Sequence, residues 1–214
     1  IAQENRQLLE DVMAIREELQ RREDALNQLE NDLNEKSQLL VARSQRVEEL
    51  ESMLEARERA AEALRARLSD ALLGFQGQGL NVEQRNGKVY VSMEAQLLFP
   101  SGSAVVDDGG RAALQGLAGV IAEQSDLEIV VEGHTDTDRV SSNTIPRNNW
   151  ELSVLRATAV VGILLENPGV DPSMLSASGK SEYHPVDLAD KGKNRRIEVV
   201  LAPNLDSLFE LISD

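Results

Sequence analysis

Two segments decide the reading of this chain. They are Leu127-Glu128-Ile129-Val130-Val131-Glu132-Gly133-His134-Thr135-Asp136 and Asn149-Trp150-Glu151-Leu152-Ser153-Val154-Leu155-Arg156-Ala157-Thr158-Ala159-Val160, the second running on through Leu164-Leu165. The first opens on a short apolar run bounded by Gly133, the pattern of a buried strand, expected over 127–132. In the second, Leu152, Leu155, Ala159 and Ile163 recur at helical spacing, so an amphipathic helix is expected over 149–166. Asp136 at the mouth of the strand then faces a helix whose first turns carry Asn149 and Arg156. An acid for an ammonium and a guanidinium for a carboxylate together suit a zwitterion.

Working outward, Leu80–Gln84 and Lys88–Met93 alternate around Asn86-Gly87, which predicts a hairpin. The stretch from Gln96 to Ser103 reads as irregular, broken by Pro100 and Gly102. Asp107-Asp108 is expected to cap a helix from about Gly109 to Gln124, with Leu114, Leu117, Val120 and Ile121 as its buried stripe. Pro168-Gly169 stops the 149–166 helix, and Asp171-Pro172 starts a short helical turn. Ser176–Gly179 reads as a short strand, Arg196–Leu201 as a longer one, and Leu205–Ile212 as a short amphipathic helix. Strands interspersed with two principal helices predict an α+β fold, an α/β sandwich whose βαβαβ-type sheet carries its helices on one face.

Residues 1–73 contain no Gly or Pro and are rich in Glu, Arg, Leu, Ala and Gln. Val12, Leu19, Leu26, Leu33, Leu40, Val47, Leu54, Ala61 and Leu68 follow one another at heptad spacing, with Ile15, Leu29, Leu50 and Leu64 three residues after members of that row. This a/d pattern predicts a left-handed coiled coil, here a parallel homodimer, on the order of 100 Å long at about 1.5 Å per residue. Arg22, Lys36, Arg43 and Arg57 fall on the d row, so the seam is either loose or lets their stems reach outward. A solvated single helix is the alternative. Gly74, Gly77 and Gly79 break the pattern. The expected organisation is a helical spacer over 1–73, a Gly-rich linker over 74–79, a globular domain over 80–203 and a C-terminal helix over 204–214.

A net charge of −15 argues against nucleic acid as a partner, because phosphate would be repelled. Cysteine is absent, which leaves neither a disulfide framework nor a thiolate metal site. No run approaches the ~18 apolar residues of a membrane span. The chain starts at Ile1 rather than Met, so a signal or membrane anchor is expected upstream.

Gly133-His134-Thr135-Asp136, followed by Asn149, Leu152-Ser153, Arg156-Ala157, Val160 and Leu164 at their spacings, resembles the signature of OmpA-like peptidoglycan-binding domains. Within that family it is closer to the MotB branch, which also has a Trp after the Asn. The resemblance extends upstream to Leu98–Ala104 and downstream to Gly179–Val186 and Asn194–Val199, covering roughly 80–202. It implies that Asp136 binds the ammonium, and Arg156 the carboxylate, of the peptidoglycan diamino acid, meso-diaminopimelate. Asn149 would line the same site. Leu98, Phe99, Thr135 and Leu152 would line the pocket, and Asn194 and Arg195 would approach it from the last strand. The implied role is a non-enzymatic wall anchor in the periplasm, tied to a membrane such as the outer membrane, with no cofactor and no metal.

Each residue also has a plainer reading. Asp136 could cap a turn, Arg156 could pair with Glu151 or Asp136, and Asn149 sits where an N-cap belongs. For His134 the preferred reading is a ring packed inward with one nitrogen hydrogen-bonded; the other histidine, His184, lies at no known metal spacing from it. Trp150 reads as a buried anchor ahead of a sugar-stacking platform. Arg195 and Arg196 should fall on opposite faces, one near the site and one a surface charge. The 137–148 loop is long, as in the MotB branch, whereas the connection from Pro185 to Asn194 is shorter than usual. Three rival functions remain: a subunit of an ion-driven stator, a wall-cleaving hydrolase, and a purely structural coiled coil whose C-terminal domain has lost binding. The second needs paired carboxylates or a metal-bound water, which the sequence does not display.

Overall fold

The computed structural model describes residues 2–100, 102–125, 127–140 and 145–203. The chain divides into two compact units, 1–53 and 54–214. A single helix, α1 (Ala2–Ala71), runs through the N-terminal unit and into the second. Within 1–53 the apolar heptad row is exposed from Val12 to Val47. Arg22, on the d row, folds back along the helix surface to Glu18 at 2.8 Å.

In the second unit α1 contributes directly to the core. Ala61, Leu64, Leu68 and, just beyond the helix, Leu72 are all buried there. Residues that fit a coiled-coil seam by spacing are therefore covered by their own domain. The compact unit begins near Leu54, well ahead of the glycines at 74–79 that suggested a boundary.

The sheet has the order β1-β2-β5-β3-β4, with β1 (Leu80–Arg85), β2 (Lys88–Glu94), β3 (Leu127–His134), β4 (Leu175–Ser181) and β5 (Arg196–Pro203). All neighbours are antiparallel except β3 and β4. Asn86 and Gly87 both take positive φ, 53° and 67°, which the two-residue hairpin turn between β1 and β2 requires. Two principal helices, α3 (Asp108–Ile121) and α4 (Asn149–Leu164), supply the rest of the sandwich. The Asp107 side chain caps α3 by accepting from Gly110 N at 2.8 Å. Leu114, Leu117 and Ile121 pack with Ile129, Val131, Val199 and Leu201, all fully buried. The opposite face of the sheet carries Tyr90, Ser92, Glu94, Glu132, His134, Arg196 and Glu198.

Four local expectations are corrected. Two one-turn helices appear where none is expected: α2 (Ala95–Leu98), inside the stretch read as irregular, and α5 (Lys191–Asn194). The short strand expected at 176–179 extends over Leu175–Ser181. The buried face of α4 is centred on Ser153, Arg156, Ala157, Val160 and Leu164, while Leu155 is exposed. The rotation follows from two glycines: a Cβ on Gly133 would lie 2.0 Å from the Ser153 carbonyl oxygen, and one on Gly179 2.6 Å from the Ser153 hydroxyl. Helix α4 therefore rests its backbone on the strands and needs small residues at the contact. The helix expected over Leu205–Ile212 lies outside the described residues.

Candidate functional site

Strand β3 ends at His134, and the next two residues turn out of the sheet beside β4, where Thr135 N donates to Ser181 O at 3.0 Å. This brings the Asp136 carboxylate, 5% exposed, to the mouth of the strand. Its Oδ1 accepts from Asp138 N at 2.9 Å, the turn-capping contact expected of an Asx residue. Its Oδ2 accepts from Arg195 Nη1 at 2.5 Å. Arg195 is nearly half exposed, so this ion pair faces water.

Arg156 lies on the buried face of α4 and is 5% exposed. Nε donates to the Ser103 carbonyl at 2.9 Å, and the guanidinium carbon stands 5.0 Å from the Phe99 ring centroid. Burial, then the neighbouring Arg195 charge, push its pKa down from the ordinary value, and the Asp136 carboxylate pushes it back up. The three groups are thus within electrostatic reach of one another. Arg156 does not pair with Glu151, whose carboxylate accepts instead from Arg147 N at 2.7 Å.

Asn149 is the first residue of α4 rather than its cap. The cap is Asn148, which accepts from Glu151 N at 2.9 Å. Asn149 instead ties the loop to the helix, donating to the carbonyls of Asp136 and Asp138 at 3.1 Å each. Leu152 is buried beside it. Phe99 lies under Arg156, whereas Leu98 belongs to the core, where its Cα would lie 2.7 Å from a Cβ on Gly110. Asn194 is turned to the 186–187 backbone, accepting from Val186 N and Asp187 N at 2.8 and 3.0 Å. The structure therefore gathers Asp136, Thr135, Asn149, Arg156, Phe99, Leu152 and Arg195, and gives Leu98 and Asn194 packing and loop-holding contacts.

Three further readings change. Trp150 is about half exposed and stands 5.8 Å, centroid to centroid, from exposed Tyr183; it is no buried anchor. Arg196 is buried and pairs with Glu198 at 2.8 Å; it is no surface charge. His134 is buried as expected, but neither ring nitrogen has a hydrogen-bond partner among the described residues. Instead its Nε2 faces Glu132 and Glu198 at 3.7 and 3.8 Å. The sequence signal for this cluster was the alternation Glu132-x-His134, but its third member comes from β5 through sheet register.

Residues 98–198 match the OmpA family. The domain is OmpA-like. The chain is also MotB-like: motility protein B of Bacillus subtilis (strain 168) is 29% identical over 128 residues, 58% of this chain and 49% of that protein. YiaD of Escherichia coli (strain K12) is 29% identical over 142 residues, 64% of this chain and 61% of that one. The chain thus spans about half to three fifths of these relatives. Among solved structures, a MotB-like protein from Desulfovibrio vulgaris aligns with a TM-score of 0.63 at 25% identity, covering 72% of this chain and 98% of that one. The cell wall anchor of the Pseudomonas aeruginosa T6SS aligns with a TM-score of 0.58 at 28% identity, covering 65% of this chain and 99% of that one. Among the described residues no helix is long and apolar enough to cross a membrane.

Proposed function

We propose that the OmpA-like domain anchors this chain non-covalently to the bacterial cell wall by gripping the diaminopimelate of peptidoglycan stem peptides. The free end of that residue carries an amine and a carboxylate on one carbon. Asp136 takes the ammonium and Arg156 the carboxylate, each through a charge-assisted hydrogen bond. The observation that carries the reading is the buried acid and buried guanidinium at one loop–helix junction. Arg156 spends Nε on Ser103, and its two Nη groups form the fork that suits a carboxylate. Arg195 occupies the Asp136 carboxylate in the empty site, and being exposed it can swing aside for the ammonium. A net charge of −15 does not prevent this, since attraction acts within a Debye length of about 8 Å.

The place of action is the periplasmic side of the envelope, with the N-terminal helix pairing with that of a second copy through the exposed row from Val12 to Val47. A second reading keeps the site but makes the domain the wall-holding part of an ion-driven stator. The similarity to motility protein B favours it. Purified sacculi test the site. Wild-type protein should sediment with them, and Asp136→Ala and Arg156→Ala should stay in solution while keeping their circular dichroism. Unchanged sedimentation of both variants removes the proposed site, and soluble wall fragments would mean an enzyme.

A further inference from the structure

The cluster on the face of the sheet opposite α3 and α4 contains none of the residues assigned to the Asp136 pocket. Glu132 on β3 stands directly opposite Glu198 on β5 in the antiparallel register. Two like charges so placed repel unless something lies between them. Lys180 meets Glu132 Oε1 at 3.2 Å, and Arg196 Nε meets Glu198 Oε1 at 2.8 Å. Both cations hold the outer oxygens, and both Oε2 atoms turn toward His134 Nε2, at 3.7 and 3.8 Å. Those separations are too long for hydrogen bonds. His134 is 3% exposed and both its nitrogens are unpartnered among the described residues, a costly state for a buried imidazole.

We propose that Glu132, His134 and Glu198 form a binding site for a divalent transition-metal ion of the zinc class, clamping β3 to β5. One donor from each residue lies within 4.8 Å of the others. A point equidistant from atoms spaced 3.7, 3.8 and at most 4.8 Å apart lies about 2.4 Å or less from each, so side-chain shifts of a few tenths of an ångström bring the donors to the ~2.0–2.2 Å of zinc–imidazole and zinc–carboxylate bonds. One imidazole and two carboxylates form a zinc-type donor set, and the imidazole selects against magnesium and calcium. Lys180 and Arg196 orient the carboxylates from outside, the part that outer-shell partners play at metal sites. The ring of exposed His184 stands edge-on, 6.4 Å from that of His134, and the fourth position on that side belongs to water.

Titrating Zn2+ into tag-free full-length protein by calorimetry tests this. One equivalent should bind, raising Tm by several degrees, and Glu132→Gln and His134→Gln should each lose at least ~10-fold in affinity. No saturable binding, or binding unchanged in the folded variants, overturns it. Should the variants not fold, X-ray absorption of the zinc-loaded His184→Ala protein decides, because His134 is then the one imidazole in the chain. An imidazole in the zinc shell supports the site, and an all-oxygen shell overturns it.

Discussion

Arg156 is fixed before any ligand arrives, by the Ser103 carbonyl at Nε and the Phe99 ring beneath its plane. Arg156→Lys keeps the charge but loses the Nε bond and the fork, so diaminopimelate affinity should fall about 10-fold or more by calorimetry. For the same reason lysine, which lacks the distal carboxylate, should bind wild type about 10–100-fold more weakly than diaminopimelate. Equal affinities would refute the role given to Arg156. The places of Asp136 just past a strand and of Arg156 on a helical turn were legible in the sequence because both are local patterns. Asn148 and Asn149 were not separable, because both are good N-caps and their roles depend on where the loop carbonyls fall. Arg196 escapes a sequence reading because its partner Glu198 sits on the same strand face, yet sequence alone does not say that the face is buried.

At the scale of elements, α4 stands on β3 and β4 through glycine. Gly133→Ala sets a methyl against the Ser153 backbone and should cost about 1–3 kcal/mol or more, with loss of ligand binding as α4 shifts. Gly119→Ala, on α3 with nothing within 4 Å of the added Cβ, should instead stabilise by about 0.5–1 kcal/mol. Chemical denaturation measures both. The 186–190 loop offers a pH test. Backbone N–H groups of Ala189 and Asp190 and the Lys193 ammonium hold the Asp187 carboxyl down at about 2, from an ordinary 3.8. Its folded pKa is depressed, so its contribution is whole above pH 3.8 and disappears as pH falls toward about 2. The Tm gap between wild type and Asp187→Asn should close over that window. The hairpin and both principal helices could be read from periodicity and turn chemistry. The phase of α4 could not, since Leu155 and Ala157 compete for the inward side and glycines on other strands decide between them.

At the scale of the molecule, the heptad row divides in two, exposed from Val12 to Leu54 and buried in the core at Ala61 and Leu68. Deleting 1–53 removes no residue of the buried core and should leave Tm nearly unchanged. Deleting 1–73 removes Leu64, Leu68 and Leu72 from that core and should cost on the order of 5 kcal/mol, at ~1.5–3 kcal/mol per buried leucine. Calorimetry of the two truncations distinguishes these outcomes. Sedimentation should find full-length dimers and monomeric 54–214. The boundary was hidden because a heptad seam and a helix packed on its own domain demand the same spacing of apolar residues. The consecutive Arg195 and Arg196 reach two unlike destinations, Asp136 and Glu198. One amino acid inserted between Arg196 and Ile197 would move both guanidiniums to the opposite sides, sending the exposed one inward and the sheltered one to water. Natural length variation should therefore gather in 137–148 and 186–190 and spare this junction, a rule that aligned relatives can check by counting gaps.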